Sequence, residues 1–145
     1  MLFKTHPTLG MPPSQPKNYL CLQVFEQLSR QAPASLLAWE LQAASADAAS
    51  WWRTRNTFTC SLATSSIAGY LLGVGDRHLN NILLLHGTGQ IVHVDMSVCF
   101  DQGHSLRVAE VVPFRLTQML VHALGPLGPR GAFSCHAQVR NVQCS

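Results

Sequence analysis

The sequence predicts a mainly α-helical domain that contains one β-hairpin. Apolar side chains recur at helical spacing in three stretches, residues 18–31, 47–72 and 116–124. One strand–turn–strand signal stands between the second and third stretches, where the apolar runs 82–85 and 91–94 flank a Gly-Thr-Gly turn. All eight prolines lie outside the central helix and the hairpin, so no proline interrupts either element.

The composition allows one packed domain and argues against two classes of partner. The chain has 145 residues, of which 47% are hydrophobic and only 12% are charged. The net charge of +3 is spread along the chain, which gives little support to nucleic-acid binding. No apolar stretch approaches the ~20 residues of a membrane span, so no membrane contact is expected. The low charge indicates that part of the surface is normally covered.

The cysteines and histidines predict an intracellular protein without a disulfide framework. Five cysteines occur without any Cys-x-x-Cys pair, and this odd number favours reduced thiols in the cytoplasm or the nucleus. The first residues lack the apolar run of a signal peptide. The seven histidines show no zinc-binding spacing, so no structural zinc site is expected.

Proline and glycine mark the boundaries of the predicted elements. Four prolines in the first sixteen residues predict a linker or loop over 1–17, and Pro33 ends the first helix. Asp47 is the predicted N-cap of the central helix, which ends at Gly73 and Gly75. The remaining predicted pieces are a short helix at 35–42, a long ordered loop at 95–113, a Gly/Pro loop at 125–131 and a final helix within the uncertain tail 132–145.

Three polar residues around the hairpin have the spacing of a phosphoryl-transfer site. This chemistry needs a carboxylate near the nucleophilic hydroxyl and oxygen ligands for Mg²⁺. Asp76 and Asn81 lie five positions apart in one loop, and Asp95 follows the return strand. The midpoint of 81 and 95 falls on Thr88 at the centre of the turn, so a symmetric hairpin brings Asn81 and Asp95 side by side. The pattern therefore predicts a Mg²⁺-nucleotide site.

Each part of this pattern is ordinary when it stands alone. An Asp-x-x-x-x-Asn spacing is common, and most examples are structural. Gly73 and Gly75 resemble a helix stop more than a phosphate cradle, because no Lys-Ser/Thr pair follows as in a Walker loop. The combination of all three residues across one hairpin is what favours the functional interpretation.

The same residues resemble the phosphatidylinositol 3-kinase-related protein kinases. The sequence Gly-Asp-Arg-His-x-x-Asn at 75–81, followed by His-Val-Asp at 93–95, resembles the catalytic and metal-binding loops of that family. Val-Pro-Phe-Arg-Leu-Thr at 112–117 resembles the end of the family's activation segment. Within the family, residues 98–100 and 105–108 are most similar to the branch that acts in nonsense-mediated mRNA decay.

The resemblance implies a Ser/Thr protein kinase that uses ATP with Mg²⁺ or Mn²⁺. Asp76 would be the catalytic aspartate that orients or deprotonates the substrate hydroxyl. His78 would lie beside the transferring phosphoryl group as a base or as a charge stabiliser. Asn81 and Asp95 would hold the metal ion. The expected substrates are proteins with Ser or Thr followed by Gln, in nonsense-mediated mRNA decay or related stress signalling.

The resemblance also implies structural roles around these residues. Gly73, Gly75 and Arg77 would shape the catalytic loop, and Arg77 would brace it by a salt bridge. The implied activation segment contains Asp95, Cys99, Phe100, Arg107, Pro113, Phe114 and Arg115.

The implied fold is the C-terminal lobe of a PI3/PI4-kinase-like catalytic domain, over residues 18–131, and it is incomplete. A kinase site also needs a Gly-rich loop and a strand lysine paired with a helix glutamate. The only two lysines, Lys4 and Lys17, lie in the proline-rich start rather than in an apolar strand. The expected partners therefore include the N-terminal lobe and helical regions of a longer parent chain, and the fragment alone should be inactive.

Two alternatives belong to different classes. A lipid kinase would share the Asp-Arg-His loop, but a phosphoinositide headgroup calls for a cluster of Lys and Arg. Residues 96–112 hold one arginine against two carboxylates, a net charge of −1, which favours a protein substrate. A truncated remnant that only binds partners is the second alternative, which the absent N-terminal lobe supports.

Overall fold

A computed structural model describes residues 16–106, 110 and 112–142. The predictions for Arg107 and for most of the 1–17 linker therefore lie outside the described residues. The chain divides into two compact units, Met1–Pro33 and Ala34–Ser145. In the first unit, helix α1 (Pro16–Gln31) begins two residues before the predicted start, with proline at its first position, where the missing N–H costs nothing.

The second unit confirms the predicted fold class. It is mainly helical, and its two strands pair into one antiparallel hairpin. No helix among the described residues is long and apolar enough to cross a membrane. The elements in chain order are α2 (Leu36–Ala43), α3 (Ala48–Leu71), β1 (Ile82–Leu84), β2 (Ile91–His93), α4 (Gln118–Ala123) and α5 (Ala132–Val142), with short 3₁₀ turns at Leu79–Asn81, Gln102–Ser105 and Gly128–Arg130.

Helix α3 begins at the predicted cap. The Asp47 carboxylate accepts the backbone N–H of Ser50 at 2.7 Å, and the Ser50 hydroxyl accepts the Asp47 N–H at 3.0 Å. These reciprocal bonds form a capping box and satisfy two backbone donors that a helix start would otherwise leave unpaired. Hydrogen bonding from Ser50, first from its backbone and then from its hydroxyl, lowers the pKa of the Asp47 carboxyl.

The hydrophobic core forms around α3. Phe58, Leu62 and Ala63 are almost completely buried, and the helix packs against α5, β2 and α2. Phe133 of α5 is 0% exposed, and its ring lies 6.5 Å from that of Phe114, centroid to centroid. The final helix therefore contributes directly to the core on which the hairpin rests.

The hairpin register differs by one residue from the predicted one. Ile82 pairs with His93, and the N–H of Val94 donates to the carbonyl of Asn81 at 3.1 Å, so Asn81 lies opposite Val94 rather than Asp95. The turn is a four-residue loop, which is closed by a hydrogen bond of 2.8 Å from the N–H of Leu85 to the carbonyl of Gln90. The prediction of a symmetric three-residue turn was therefore wrong, because the loop also includes His86 on the β1 side.

The buried position of Phe133 predicts that α5 is essential for stability. Phe133→Ala should lower the free energy of unfolding by about 3–5 kcal/mol, the usual cost of emptying a buried phenylalanine site. Trp52→Ala is the matched control, because this aromatic side chain of α3 is 62% exposed and should change stability by less than about 0.5 kcal/mol. Urea denaturation of the two variants measures the difference. Equal effects would mean that α5 does not pack as described.

Candidate active site

The loop between α3 and β1 (residues 72–81) is bound along its length to the chain that follows β2. The N–H of Gly75 donates to the carbonyl of Val98 at 2.9 Å, and the N–H of Phe100 donates to the carbonyl of Leu72 at 2.8 Å. The N–H of Asp101 donates to the carbonyl of Gly73 at 3.2 Å. The 72–81 loop and the start of the 95–113 segment therefore form one backbone-bonded unit.

Two glycines of this unit lie in close contact with the 95–113 segment. Gly73 has φ +58°, and a Cβ added there would lie 2.5 Å from the backbone nitrogen of Asp101. A Cβ at Gly75 would lie 2.6 Å from a carboxylate oxygen of Glu110 and 3.0 Å from Val98. Gly73 is therefore required by its backbone conformation and by the nearby Asp101 backbone, whereas Gly75 leaves the space that the Glu110 carboxylate occupies.

Arg77 joins the 72–81 loop to the end of the hairpin. Its guanidinium is buried and donates to three carbonyl oxygens, those of Gly75 at 2.8 Å, Val94 at 2.8 Å and Asp95. Arg77 therefore braces the loop as predicted, but it does so through carbonyls. The predicted salt bridge was wrong, because no carboxylate of the described residues lies within ion-pair distance of this side chain.

The two predicted metal ligands lie at the open end of the hairpin, where the observed register does not pair them directly. Asn81 is buried, and its Nδ2 donates to the carbonyl of Asp76 at 2.9 Å, which leaves its Oδ1 as the acceptor of that side chain. Asp95 is exposed, and its carboxylate accepts the N–H of Ser97 at 3.0 Å. The Ser97 hydroxyl, the Ser97 N–H and the positive charge of Arg77 lower the pKa of Asp95, so its carboxylate is ionised at neutral pH.

Asp76 is the most constrained residue of the loop. Its φ of +55° is in the left-handed region, which is unfavourable for a residue with a Cβ. Its carbonyl accepts from Asn81, and its N–H donates to the carboxylate of Glu110 at 2.8 Å. Its own side chain remains about half exposed (46%), with Oδ2 3.8 Å from Nε2 of His78. The backbone is therefore fixed while the carboxylate stays available.

His78 presents one ring nitrogen to Asp76. Its Nδ1 accepts the N–H of Asn80 at 3.2 Å, which caps the short 3₁₀ turn that leads into β1. Its other ring nitrogen, Nε2, faces the Asp76 carboxylate. The predicted pair of Asp76 and His78 is thus brought together.

Backbone strain concentrates in the same region. Four non-glycine residues among those described have positive φ: Asp76, Asp95, Phe100 and Asp101. Each such residue persists only where its surroundings hold it, and clusters of them are typical of functional sites. Here the surroundings are the hydrogen bonds between the 72–81 loop and the 95–113 segment.

The remaining predicted residues of the activation segment have different environments. Cys99 is half-buried and Phe100 is 75% exposed, whereas Phe114 packs against the core. Pro113 is exposed, and Arg115 donates to the carbonyl of Arg77 at 3.4 Å. Residues 114 and 115 thus connect the end of this segment to the core and to the 72–81 loop.

Sequence reasoning missed the contribution of Glu110 to this site. It entered the sequence analysis only as one negative charge, yet its carboxylate is the acceptor for the N–H of Asp76. The one available signal was that Glu110 is the sole acidic residue between 102 and 113. Its partner lies 34 positions away, so no local pattern could have identified it.

The donor set fits a magnesium ion shared with phosphates. Asp95 and Asn81 supply a carboxylate and an amide oxygen, the hard ligands that Mg²⁺ prefers. No group of three or more His, Cys, Asp or Glu residues within the described part of the chain could hold a metal alone. Such a site completes its coordination with water and substrate phosphate oxygens, as kinase sites do.

A protein-family model described as phosphatidylinositol 3- and 4-kinase matches residues 2–141. The chain belongs to this family. The resemblance to the branch of related protein kinases is also confirmed, because the chain is 47% identical to the serine/threonine-protein kinase Smg1 of Drosophila melanogaster over 112 residues. It is 44% identical to the serine/threonine-protein kinase SMG1 of Danio rerio over 119 residues.

These matches cover most of this chain and little of each relative. They span 77% and 81% of the chain but only 4% and 3% of the two Smg1 kinases. Among solved structures, the FAT and kinase domain of CtTel1 superposes with a TM-score of 0.77 at 34% identity. That match covers 83% of this chain and 8% of the CtTel1 chain. The chain therefore spans only a small part of the length of the relatives that it matches.

The three carbonyl bonds of Arg77 predict that lysine cannot replace it. Arg77→Lys keeps the positive charge but cannot reach three acceptors in a fixed plane, so stability should fall by about 1–3 kcal/mol. Arg53→Lys, an exposed position of α3, is the control and should have almost no effect. Urea denaturation of both variants gives the comparison. A loss for Arg77→Lys no greater than for the control would contradict the brace.

Proposed function

We propose that this chain is the C-terminal part of a Ser/Thr protein kinase catalytic domain, which transfers the γ-phosphate of ATP to protein hydroxyls. The observation that carries this proposal is the network around Arg77. By binding the carbonyls of Gly75 and Asp95, this residue brings the Asp76 loop to the end of the hairpin. This connection supports a site in which the Asp76 carboxylate would direct the nucleophile and Asn81 and Asp95 would supply oxygen ligands for a cation.

The proposed roles follow from exposure and contacts. The Asp76 carboxylate is half exposed and fixed at its backbone, which suits a group that orients or deprotonates an incoming hydroxyl. Asn81 and Asp95 would hold Mg²⁺ or Mn²⁺, which when bound would neutralise the charge of the phosphate oxygens. His78 lies beside Asp76 and would supply either a base or a positive charge near the transferred group.

A protein substrate is favoured over a phosphoinositide. The family description covers lipid kinases, but residues 96–112 carry one arginine against two carboxylates, which suits an anionic headgroup poorly. The similar curated proteins are named serine/threonine-protein kinases. We therefore propose Ser or Thr followed by Gln as the target, with a role in nonsense-mediated mRNA decay or related stress signalling.

The proposed surroundings of the site follow from its assignment to a protein kinase. The nucleotide site would be completed by an N-terminal lobe, and helical regions of the parent chain would cover apolar surface that is exposed here. We propose partners other than nucleic acid or a membrane. The four cysteines within the described residues are free, which supports a cytoplasmic or nuclear location.

The substrate class can be tested in a chimera of the Drosophila Smg1 kinase in which this chain replaces the matching segment. The chimera should phosphorylate a Ser-Gln peptide faster than phosphatidylinositol vesicles, because the 95–113 segment has no basic cluster. Radiolabelled ATP follows both reactions under one set of conditions. Faster lipid phosphorylation would reverse the assignment, and a chimera active on neither substrate would contradict the proposed kinase function.

The two aspartates should have separable effects in the same chimera. Asp76→Ala should lower kcat by roughly 10²–10⁴ with little change in nucleotide affinity, because Asp76 acts on the nucleophile. Asp95→Asn should weaken Mg²⁺-nucleotide binding as well as turnover, because it removes the charge that offsets the metal. Isothermal titration and steady-state kinetics measure both quantities.

Asp47→Asn provides the matched control for these variants. It makes the same chemical change as Asp95→Asn, but at a helix N-cap where asparagine serves equally well. It should therefore change neither the affinity for Mg²⁺-nucleotide nor kcat. If Asp76→Ala lost nucleotide affinity while Asp95→Asn kept it, the proposed division of roles would be wrong.

A further inference from the structure

Glu110 connects the end of the 95–113 segment to the 72–81 loop. Its Oε2 accepts the backbone N–H of Asp76 at 2.8 Å. The same oxygen lies 2.6 Å from the place where a Cβ of Gly75 would be, and 2.9 Å from that of Gly103. Gly75 of the loop and Gly103 of the 95–113 segment therefore leave the space that the Glu110 carboxylate occupies.

This contact acts on the residue with the least favourable backbone in the loop. Asp76 is in the left-handed region, so without support it would relax toward a commoner conformation. Its carbonyl accepts a hydrogen bond from the Asn81 side chain, and its N–H donates to the Glu110 carboxylate. A backbone N–H bonded to a carboxylate is a charge-assisted hydrogen bond, stronger than one between neutral groups.

Glu110 is in turn fixed by its own segment. Its N–H donates to the carbonyl of Gly103 at 3.1 Å, and the Gln102–Ser105 turn that contains Gly103 begins at the strained pair Phe100 and Asp101. The position of the carboxylate beside Asp76 therefore depends on the Gln102–Ser105 turn, to which Glu110 is bound. The orientation of Asp76 thus depends on residues far from it in sequence.

We propose that Glu110 is a positioning residue that fixes the orientation of Asp76 and makes it depend on the Gln102–Ser105 turn. This inference rests on the proposed function, because it assigns Glu110 to the site of that same reaction. Glu110 touches neither substrate nor nucleotide in this scheme. Its effect on catalysis passes through the backbone of Asp76, so it should change turnover rather than nucleotide binding.

The positioning contact can be measured on the 145-residue chain alone, without any activity. Amide hydrogen exchange by NMR reports whether the N–H of Asp76 is protected. Glu110→Ala should lower this protection at least tenfold, whereas Glu110→Gln should retain most of it, because the amide oxygen can still accept the bond. Glu40→Ala and Glu40→Gln are the matched controls, since Glu40 is an exposed residue paired only with His86 among its described ion-pair contacts.

The catalytic consequence is measured in the Smg1 chimera. Glu110→Ala should lower kcat by roughly 10- to 100-fold, the scale expected when a catalytic group is misplaced by about an ångström. The KM for ATP should stay within about twofold, and Glu110→Gln should restore most of the lost kcat. If Glu110→Ala unfolds the protein, Glu110→Asp replaces it, because the shorter side chain withdraws the carboxylate while keeping the charge.

The two measurements separate this inference from the function on which it rests. Unchanged protection of the Asp76 amide in Glu110→Ala would overturn the positioning role, whatever the chimera does. A kcat loss no larger than that of Glu40→Ala, or a Gln variant as impaired as the Ala variant, would overturn it as well. A wild-type chimera that transfers no phosphate would count against the kinase proposal, and the exchange result would still decide the positioning contact.

Discussion

The buried guanidinium of Arg77 is the interaction on which the rest of the site depends. Taking an arginine out of water is costly unless its donors are bonded, and here three carbonyl oxygens accept from it. Those carbonyls belong to two separate stretches of chain, one before β1 and one after β2. Satisfying this single side chain therefore forces the Asp76 loop and the Asp95 turn together, and the positions of the polar residues follow from that constraint.

The strained backbone of the site is a consequence of the same convergence. Asp76 and Asp95 flank the Arg77 bonds, and both adopt positive φ. The Asn81 side chain donates to the Asp76 carbonyl, and the backbone N–H of Ser97 donates to the Asp95 carboxylate. The result is a pair of carboxylates with fixed backbones and accessible side chains. In the proposed function, such preorganisation would lower the reorganisation needed during phosphoryl transfer.

Sequence reasoning succeeded where the deciding interactions are local. The start of α3 was predictable because the Asp47 cap and its Ser50 partner lie three residues apart. The hairpin register was not, because it depends on a four-residue turn in which Gly89 packs against Thr54 of α3, where a Cβ would lie 2.7 Å from the threonine methyl group. The roles of Glu110 and of α5 likewise depend on contacts between residues distant in sequence. The residue types of the site were thus readable from the chain, but the network that connects them was not.

The most direct test of the account is whether Asp76, Asn81 and Asp95 form one cation-responsive site. Titration of the labelled 145-residue chain with Mn²⁺ broadens the NMR signals of nuclei near the bound ion. The amide signals of these three residues should broaden together at the same Mn²⁺ concentration, and Asp95→Asn should weaken the broadening at all three. Broadening at Asp95 that leaves Asp76 and Asn81 unaffected would contradict a shared site.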